Sequence, residues 1–586
     1  MKTIIEEVNG IIGNYETGYI ELTPGLTFSQ YQTLKTIDFY SNSRYLKGNT
    51  DSKGRDKPFY NIVNSVVDTS VVATDIDTKD IQLVADDKNN YIKAFLLSKD
   101  IYNWMKESDF GCFLNEMGET RARYGGVLVK KCIEKDEDSK EEELKIEVVS
   151  WKNAYVDPVY IEDGVIIEKH YLLPTDLYDK KGVWDDNAIN EIVKQYAKNK
   201  NYIASSTRVT VLEVHGTFPE TYDPKIGDKG DETLFKKMVF YIGGDAKSKQ
   251  VILYSEDEKE SPYKYLAWKP IVGRSLGRGV VEEGIEAQVW TNDAMIKERE
   301  AMELGSKVVF KTTSKKIANN ITGVDNGHVI ELDANEDFSQ VNTLSNAIPE
   351  YRNLQDRWWS QYERATSAYD AQRGETPPSG QPYRLQALVQ QQSSGMFDYR
   401  REEAGLFITE IFEDWVLPFC IKRFNKEHIL AFEFSSDELK MIDKSFATFN
   451  ANQLAKETML SGKLVTPEMY DAYFNSTLEQ VKTTKAQRFI EIPKDYFKNI
   501  KVQVSIITTG ENKNKQAIME SLNNLMMTPS AQQYPELTKE IFGKLMEMSG
   551  AGISPAMITS QEAQIPPAQP TPAQPTQMQT NLPVGA

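Results

Sequence analysis

The chain has 586 residues, of which 40% are hydrophobic and 26% are charged, as in globular proteins that bury a substantial core. This length corresponds to two to four domains at about 100–200 residues each. The net charge of −18 has the wrong sign for a protein that binds nucleic acid by neutralising phosphates, and no apolar run reaches the roughly 18 residues of a membrane span.

Cysteine usage and the first residues indicate a reducing compartment. Cys112, Cys132 and Cys420 are few, scattered and odd in number, so no disulfide framework is expected. The segment MKTIIEEVNGIIGNYE carries early acidic residues and lacks the apolar core of a signal peptide. We therefore expect assembly in the cytoplasm of the cell that makes the protein.

The N-terminal part of the chain reads as helices followed by a β-rich domain. Apolar spacing predicts helical structure in Leu26–Leu46 and Asn89–Tyr124. From Gly125 to Trp268 the period changes to two, in Val/Ile-rich runs such as GVLVKKCI and RVTVLEVHG that predict antiparallel strands. One inserted helix is predicted at Pro174–Asn199. The acidic run Glu134–Glu143 is interpreted as a solvated hairpin loop, because it lacks the Gly and spaced ligands of a calcium loop.

Two long helices follow, at 279–304 and 348–372. The glycine-rich lead-in GRSLGRGVVEEG matches neither GxxxxGK[ST] nor GxGxxG and is interpreted as a flexible entry to the first helix. In the second helix Leu354, Trp358 and Tyr362 lie three or four residues apart, which predicts one apolar stripe. We expect these three side chains to be buried.

Charge is distributed unevenly in this part of the chain. The first long helix carries seven acidic residues, including Glu282 and Glu286. The segment 305–347 is predicted to be a compact α/β insert whose basic residues come first and whose acidic residues follow. Its basic residues include Lys307, Lys311, Lys315 and Lys316, and its acidic residues include Asp325, Glu331 and Asp333.

A loop rich in Pro and Gly separates the second long helix from another that begins near Tyr383. Prolines fix φ, so the loop is stiff for its length, while glycines supply its bends. Two arginines flank it. The loop residues of interest are Arg373, Glu375, Pro377, Pro378, Ser379, Gly380, Gln381 and Arg384.

The remainder is predicted to be mostly helical. Kinks are expected at Ser393–Gly395 and Pro418. A helix is predicted at Asp437–Gly462, the next one has Thr466 as its N-cap and Pro467 at its first position, and a strand and a helix follow. The strand is predicted at 501–507 and the helix at 513–526. Beyond residue 550 the composition of Pro, Gln, Thr and Ala predicts an extended or disordered tail.

No catalytic constellation stands out. The four histidines, His170, His215, His328 and His428, form no close-spaced pair, and GxSxG, CxxC and Walker motifs do not occur. His170 and His215 lie in predicted strands and are interpreted as packed or surface residues. The sequence therefore gives no support to an enzyme, a cofactor or a metal site.

The order of these parts resembles the portal proteins of tailed bacteriophages. Several phrases are similar to portals of short-tailed phages: KPFYNIVNSVVD, WKNAYVDP, GRSLGRGVVEEGIEAQVWTNDA, GQPYRLQALVQQQSSGMFDYRREEAGLFITEIFEDWVLP and VQVSIITTGENKNKQA. The resemblance covers Phe28–Met548. It implies an α+β portal fold with a β-rich wing, a long-helix stem, a small α/β clip and a helical crown.

The resemblance also implies the domain boundaries. They are a wing at 1–277, a first stem helix at 278–304, a clip at 305–347, a second stem helix at 348–372, a tunnel loop at 373–384, a kinked wing helix region at 385–435, a crown at 436–550 and a flexible Pro/Gln-rich tail at 551–586.

A portal is a dodecameric ring at one capsid vertex through which double-stranded viral DNA passes during packaging and ejection. The implied partners are further copies of the chain, DNA, the terminase, the major capsid protein, and head-completion, adaptor and tail proteins. The implied location is the virion, with no enzymatic activity and no membrane association. Another ring-forming head–tail connector and a soluble metal-dependent hydrolase or nuclease are the alternatives.

Three site interpretations follow from the residues within that frame. The acidic first stem helix either lines the channel and lets DNA slide or is a solvated helix face. The basic-then-acidic clip suits a head-to-tail contact between neighbouring subunits. The loop at 373–384 is either, as the resemblance implies, the part nearest to DNA, with Arg373 and Arg384 as candidate phosphate contacts, or a plain surface turn.

Overall fold

The computed structural model describes most of the chain up to residue 506. The described residues are 3–51, 53–85, 90–135, 142–198, 206–226, 230, 233–244, 249–307, 309–313, 315, 332–341, 345–368, 383–424, 428–430, 436–484, 489–491, 496–497, 500 and 502–506. They fall into two compact units, one built from described residues of 1–81 and 102–416 and the other from those of 82–101 and 417–505. Within the described part, no helix is long and apolar enough to cross a membrane.

Helices and strands are mixed along the chain. The described helices are α1 Ile4–Thr17, α2 Gln30–Ser41, α3 Val63–Ala73, α4 Tyr91–Glu107, α5 Phe110–Tyr124, α6 Pro174–Asp179, α7 Asp186–Ala197, α8 Val280–Gly305, α9 Ile348–Thr366, α10 Tyr383–Ile411, α11 Leu417–Phe424, α12 Ser436–Leu460 and α13 Pro467–Thr484. The described strands are β1 Ile20–Thr23, β2 Leu26–Phe28, β3 Ile81–Ala85, β4 Gly126–Lys135, β5 Glu142–Val149, β6 Ala154–Val156, β7 Ile166–Leu172, β8 Val209–Pro219, β9 Phe235–Gly243, β10 Val251–Asp257, β11 Tyr263–Ala267, β12 Val309–Thr312, β13 Phe338–Val341, β14 His428–Leu430, β15 Phe489–Glu491 and β16 Val502–Ile506.

Two antiparallel sheets form the β-rich part of the first unit. One has five strands in the order β10-β9-β8-β7-β6, and the other has three in the order β11-β4-β5. The predicted antiparallel, β-rich region is therefore confirmed. Strands β4 and β5 form a hairpin whose last pair is Lys135 and Glu142, so the acidic run does join two paired strands, and its residues 136–141 lie outside the described part.

Two stretches that we predicted as single helices are helical, but each is divided into two helices. The stretch Asn89–Tyr124 is two helices, α4 and α5, separated at Asp109, whose φ of 51° is left-handed and cannot continue an α-helix. The predicted helix at 174–199 is also two, α6 and α7. Its second part begins where the Asp185 side chain accepts a hydrogen bond from the backbone N–H of Asn187, at 2.8 Å.

Helix α8 anchors the N-terminal helices. Its Gln288 is fully buried, and the amide oxygen accepts hydrogen bonds from the backbone N–H groups of Ile62, at 2.8 Å, and Val63, at the start of α3. These donors have no partner inside α3, because a helix leaves its first N–H groups unpaired. The amide nitrogen of Gln288 donates to the Tyr60 carbonyl. One side chain of α8 thus caps α3 and fixes the two helices together.

The described part of the insert between the long helices is a two-stranded antiparallel ladder. Val309 pairs with Val341, and Phe310 stacks on Phe338 with ring centroids 5.1 Å apart. The β part of the predicted α/β insert is present, and most of 314–331 lies outside the described residues.

Helix α10 runs through Ser393–Gly395, where a kink was one of our expectations. An irregularity is present at Phe412–Val416, a π-helical turn directly before Pro418. A proline ring clashes with the carbonyl four residues earlier in a regular α-helix, and a wider turn relieves that clash. The prediction of an irregularity near Pro418 is therefore supported, with the distortion placed before the proline.

The second unit pairs α12 with α13. The Thr477 hydroxyl donates to the Ala447 carbonyl at 3.2 Å, and the Tyr470 hydroxyl donates to Asn452 Oδ1 at 2.9 Å. Thr466 accepts the N–H of the third residue of α13, which confirms it as the N-cap. Strand β16 confirms the strand predicted at 501–507 and pairs with β3. The helix predicted at 513–526 and the tail at 551–586 lie outside the described residues.

Candidate functional site

Helices α8 and α9 form an antiparallel pair, in which the start of α8 lies against the end of α9. Trp290 stacks on Trp358 with ring centroids 6.2 Å apart and planes within 5°. One end of the pair is closed by the Tyr362 hydroxyl, which donates to the Val280 carbonyl at 3.0 Å. Gly284 makes this approach possible, since a Cβ there would lie 2.4 Å from Tyr362 Cζ.

Burial along α9 meets the prediction in full only at Tyr362, which is 2% exposed. Trp358 is half-buried, and Leu354 is 37% exposed, so the expectation of a buried Leu354 is wrong for the single chain. Helical spacing identifies which side chains share a face, but it does not reveal how far along that face the neighbouring helix covers it. The contact is therefore strongest at the end that contains Tyr362.

The acidic residues of α8 are mostly neutralised within the chain. Five of the seven form ion pairs, and the two others, Glu286 and Glu300, are exposed and make no ion pair with any described residue. The five pairs are Glu282 with Arg274, Glu283 with Lys269, Asp293 with Lys297, Glu298 with Arg352, and Glu303 with Arg55. Glu282 is held by a bidentate contact with Arg274, at 2.9 and 2.7 Å, so it has a structural role within this chain.

Large apolar side chains remain exposed on the helix pair and on the β12–β13 ladder. We call them the exposed apolar set, and each is between 37% and 52% exposed. Its members are Val289, Trp290, Met302, Leu304, Val309, Phe310, Val341 and Leu354. Scattered exposed apolar residues are ordinary on monomers, whereas a concentration of them marks an interaction surface.

The charged residues proposed for the clip interface are only partly described. Lys311, Lys315 and Asp333 are exposed, as is Lys307 at the end of α8. Lys316, Asp325 and Glu331 lie outside the described residues. The tunnel-loop residues from Arg373 to Gln381 also lie outside them, and of Arg384 only the backbone, within α10, is described.

The sequence reasoning missed a buried ionic cluster between the two sheets of the β-rich part. Its centre is Glu213 on β8, which is 3% exposed and accepts four hydrogen bonds. The donors to its two oxygens are Lys130 Nζ, His170 Nε2 at 2.7 Å, His215 Nε2 at 2.9 Å and the Tyr241 hydroxyl at 2.8 Å.

A second carboxylate, that of Glu168, lies beside Glu213, so a positive charge is needed to offset the repulsion between the two. Glu168 on β7 lies directly opposite Glu213 in the β7–β8 ladder, and like charges in such a pair repel each other. Lys130 comes from β4 of the other sheet and donates to both, at 2.8 Å from Glu168 Oε2. The Tyr263 hydroxyl also donates to Glu168, at 3.0 Å. A single ammonium group thus neutralises the repulsion and ties the two sheets together.

The sequence does contain a signal for this cluster. Glu168 and His170 are two residues apart on β7, and Glu213 and His215 are two residues apart on β8, so each pair points to one face of its strand. What the sequence lacks is the strand register that sets Glu168 against Glu213. It also gives no sign that Lys130 would arrive from another sheet.

The environment of the cluster shifts the pKa values of its members. Burial alone would raise the pKa of Glu213, but hydrogen bonds from His170 and His215 and the charge of Lys130 hold it well below its ordinary value. Burial would lower the pKa of His215, yet its contacts with Glu213 and Glu258 raise it. For Lys130 the burial effect is likewise outweighed by Glu213 and Glu168, so its pKa is raised.

These side chains do not form a metal centre. Glu168, His170 and Glu213 bring ligand-type atoms within 4.8 Å of one another, the one such group among the described residues. The ammonium of Lys130 already contacts both carboxylates and supplies the positive charge that a metal ion would bring. A divalent ion would have to displace this buried lysine, which would then lose both partners. We interpret the group as a salt-bridge network.

Comparison with known proteins leaves the family open. No protein-family model matches the chain, and no curated protein is significantly similar to it.

Proposed function

We propose that the chain is the portal protein of a tailed bacteriophage, a non-enzymatic ring that conducts double-stranded DNA through one capsid vertex. The observation that carries the proposal is the antiparallel α8–α9 pair, which brackets the β12–β13 ladder and bears the exposed apolar set. Apolar area left in water costs about 25 cal/mol per Å². A neighbouring copy that covered these side chains would remove that cost, and a head-to-tail contact repeated by rotation closes a ring.

The charges of the helix pair are compatible with a conduit. A channel wall must hold DNA loosely, because each phosphate neutralised by a cation strengthens the grip. The lysine and arginine side chains that pair with α8 are already engaged by its carboxylates. Glu286 and Glu300 remain as exposed carboxylates. A wall of this kind repels the phosphate backbone and lets the duplex slide.

The clip supplies a second, electrostatic contact in the proposed ring. Lys311 lies in β12, Lys315 follows β12 and Asp333 precedes β13, and all three side chains are exposed. If the lysines of one subunit face the acids of the next, added salt weakens the ring. Lys315→Glu should then favour monomers at moderate ionic strength. A ring of unchanged size in this variant at low and high salt would remove the clip contact from the proposal.

Electron microscopy of the purified full-length chain tests the proposal most directly. We expect rings with a central hole, together with a particle mass that matches the dodecamer implied by the resemblance, built from subunits of 66.7 kDa. A monomer, or a particle without a hole, would overturn the proposal. DNA cleavage that depends on added Mg²⁺ would point instead to a nuclease.

A packaging assay separates a portal from another ring-forming connector. A portal must be present before the terminase can move DNA into the capsid, whereas a connector that joins later is dispensable for DNA entry. We propose that the tunnel-loop arginines, Arg373 and Arg384, contact the passing duplex. Changing both to Ala should leave rings and capsids intact and alter DNA packaging or retention. Unchanged packaging would identify the loop as a plain surface turn.

A further inference from the structure

The chain passes from the five-stranded sheet to the three-stranded sheet between β10 and β11, and residues 258–262 form this crossover. Glu258, the first crossover residue, places its Oε1 2.9 Å from Nδ1 of His215. The other ring nitrogen, Nε2, lies 2.9 Å from Oε1 of Glu213. An ionised carboxylate oxygen can only accept, so both ring nitrogens donate when Glu213 and Glu258 are ionised. This geometry suits a doubly protonated imidazolium at His215.

We propose that His215 is a proton-dependent tie that holds the β10–β11 crossover against β8 through Glu258. Loss of one ring proton turns a nitrogen from a donor into an acceptor facing a carboxylate, so one of the two contacts is replaced by repulsion. Glu213 keeps Lys130, His170 and Tyr241 as donors, whereas His215 is the only side-chain partner of Glu258 among the described residues. Glu258 lines a pocket that water can enter, so its carboxylate can be solvated after release, whereas Glu213 is 3% exposed and cannot. The contact with Glu258 is therefore the one that is lost.

The titratable groups around His215 include more carboxylates than lysines, and this excess of negative charge favours the charged ring. They are Glu213 on β8, Glu168 and His170 on β7, Lys130 on β4, Tyr241 and Lys237 on β9, Tyr263 on β11, Glu258 in the crossover, and Glu162 and Asp163 in the β6–β7 loop. Five of these are carboxylates and two are lysines. Although burial disfavours the charged ring, the contacts with Glu213 and Glu258 raise the pKa of His215 above its ordinary value.

Solvent can reach the ring without unfolding of the sheet. A pocket of about 80 Å³ opens beside His215 and Glu258, with room for water. Its polar lining includes Glu162, Asp163, Thr217, Lys237 and Ser261. Proton exchange with bulk water through this pocket lets the tie respond to pH. The backbone N–H of Glu258 donates to the Lys237 carbonyl at 2.9 Å, and this hydrogen bond opens more often once the side chain is released, so the crossover loosens while β10 keeps its pairing with β9.

Hydrogen exchange of the full-length protein across pH tests the proposal, with rates corrected for the intrinsic pH dependence on an unstructured peptide. We expect peptides covering 256–263 to be protected at about pH 6 and to exchange about tenfold faster once His215 deprotonates, the factor that one pKa unit of coupling represents. Glu258→Gln should move this transition to lower pH, because the imidazolium loses one of its two carboxylates. Glu260→Gln, the same change at an exposed residue of the same crossover, should not move it.

The chain contains four histidines, so carbon-13 labelling of the ring resolves their titrations individually. His215→Gln assigns the His215 signal, and Glu258→Gln should lower its midpoint. If His215→Gln does not fold, the proposal is tested by whether Glu258→Gln lowers the titration midpoint of one of the histidine signals seen in the wild type. A His215 midpoint that is the same in wild type and Glu258→Gln would overturn the proposal. So would protection of 256–263 that does not change between about pH 6 and about pH 9.

Discussion

The α8–α9 pair and the β-rich sheets of the same unit place charged and apolar side chains in opposite ways. The sheets bury Glu213, Lys130 and His215 and surround them with partners. The helix pair instead holds most of its acids in surface ion pairs and leaves Trp290 and Met302 exposed. Buried charges are tolerated only when every one is paired. The sheets therefore look complete within one subunit. The helix pair looks like half of an interface.

Removing one member of the buried cluster should have the largest effect on folding. Lys130→Met keeps the length of the side chain but leaves Glu168 and Glu213 opposed without a cation between them. Breaking a buried pair in this way costs about 3–5 kcal/mol. Lys131→Met, at the adjacent position on the same strand, is the matched control and should stay within about 0.5 kcal/mol. Urea unfolding, monitored by hydrogen exchange of β7 and β8, measures the free energy of unfolding of both variants. Equal losses of this free energy in the two variants would show that the cluster does not stabilise the sheets.

Truncation within the helix pair should have a smaller effect. Because Trp358 is half-buried and stacks on Trp290, Trp358→Ala should cost about 2 kcal/mol, below the roughly 3–5 kcal/mol of a fully buried aromatic. Leu354→Ala, one turn away and more exposed, should cost less than about 1 kcal/mol in the unassembled chain. Thermal unfolding at low protein concentration gives the comparison. A larger loss at Leu354 than at Trp358 would mean that α8 covers the opposite end of the helix.

The pH dependence of stability sharpens the comparison, because titrating buried groups lie in the sheets. The folded-state pKa of His215 is raised, so its contribution is complete below the ordinary value of about 6.5 and is lost as pH rises through the folded value. The folded-state pKa of Glu213 is lowered, so its contribution is present above about 4.3 and is lost as pH falls.

Stability of the β-rich part should therefore be highest between about pH 4.3 and about pH 6.5, the two ordinary values. On the alkaline side we expect a loss of about 1.4 kcal/mol for each pKa unit by which His215 is raised. Urea titrations at several pH values measure this loss, and His215→Gln should abolish it. A stability that keeps rising through alkaline pH in the wild type would contradict the assigned direction.

The contrast between the two regions also separates what the sequence could predict from what it could not. Period-two runs predicted the antiparallel strands, and three- and four-residue spacing predicted the two long helices, because these patterns reflect local geometry. The break at Asp109 was missed because a single left-handed residue changes no periodicity. The exposure of Leu354 depends on where α8 passes, which no local pattern encodes.

The Glu213 cluster shows the same limit more sharply. Its ingredients, a Glu and a His two residues apart on each of two strands, are visible in the sequence. Their meaning depends on the β7–β8 register, on the position of β4 in a different sheet and on the path of the crossover that carries Glu258. These are long-range relations between segments. The interpretation of His170 and His215 as ordinary packed residues therefore missed their shared carboxylate.

The last and smallest effect on folding should be the one that reveals the interface. Val289→Glu and Met302→Glu place a charge on the exposed apolar set of α8. Because both side chains are already exposed and Glu is a good helix former, each should change stability by no more than about 0.5 kcal/mol. Val72→Glu is the matched control, since Val72 is an exposed valine near the end of another helix, α3.

If the set is an interface between copies, the α8 variants should lose assembly while the control keeps it, because a buried unpaired carboxylate costs far more than an exposed one. Native mass measurement and electron microscopy report assembly, and urea unfolding reports stability in the same samples. Rings that persist in both α8 variants would show that this surface faces solvent in the assembled protein. In that case the contrast between a complete sheet region and an incomplete helix pair would fail, and with it the observation on which the proposed ring depends.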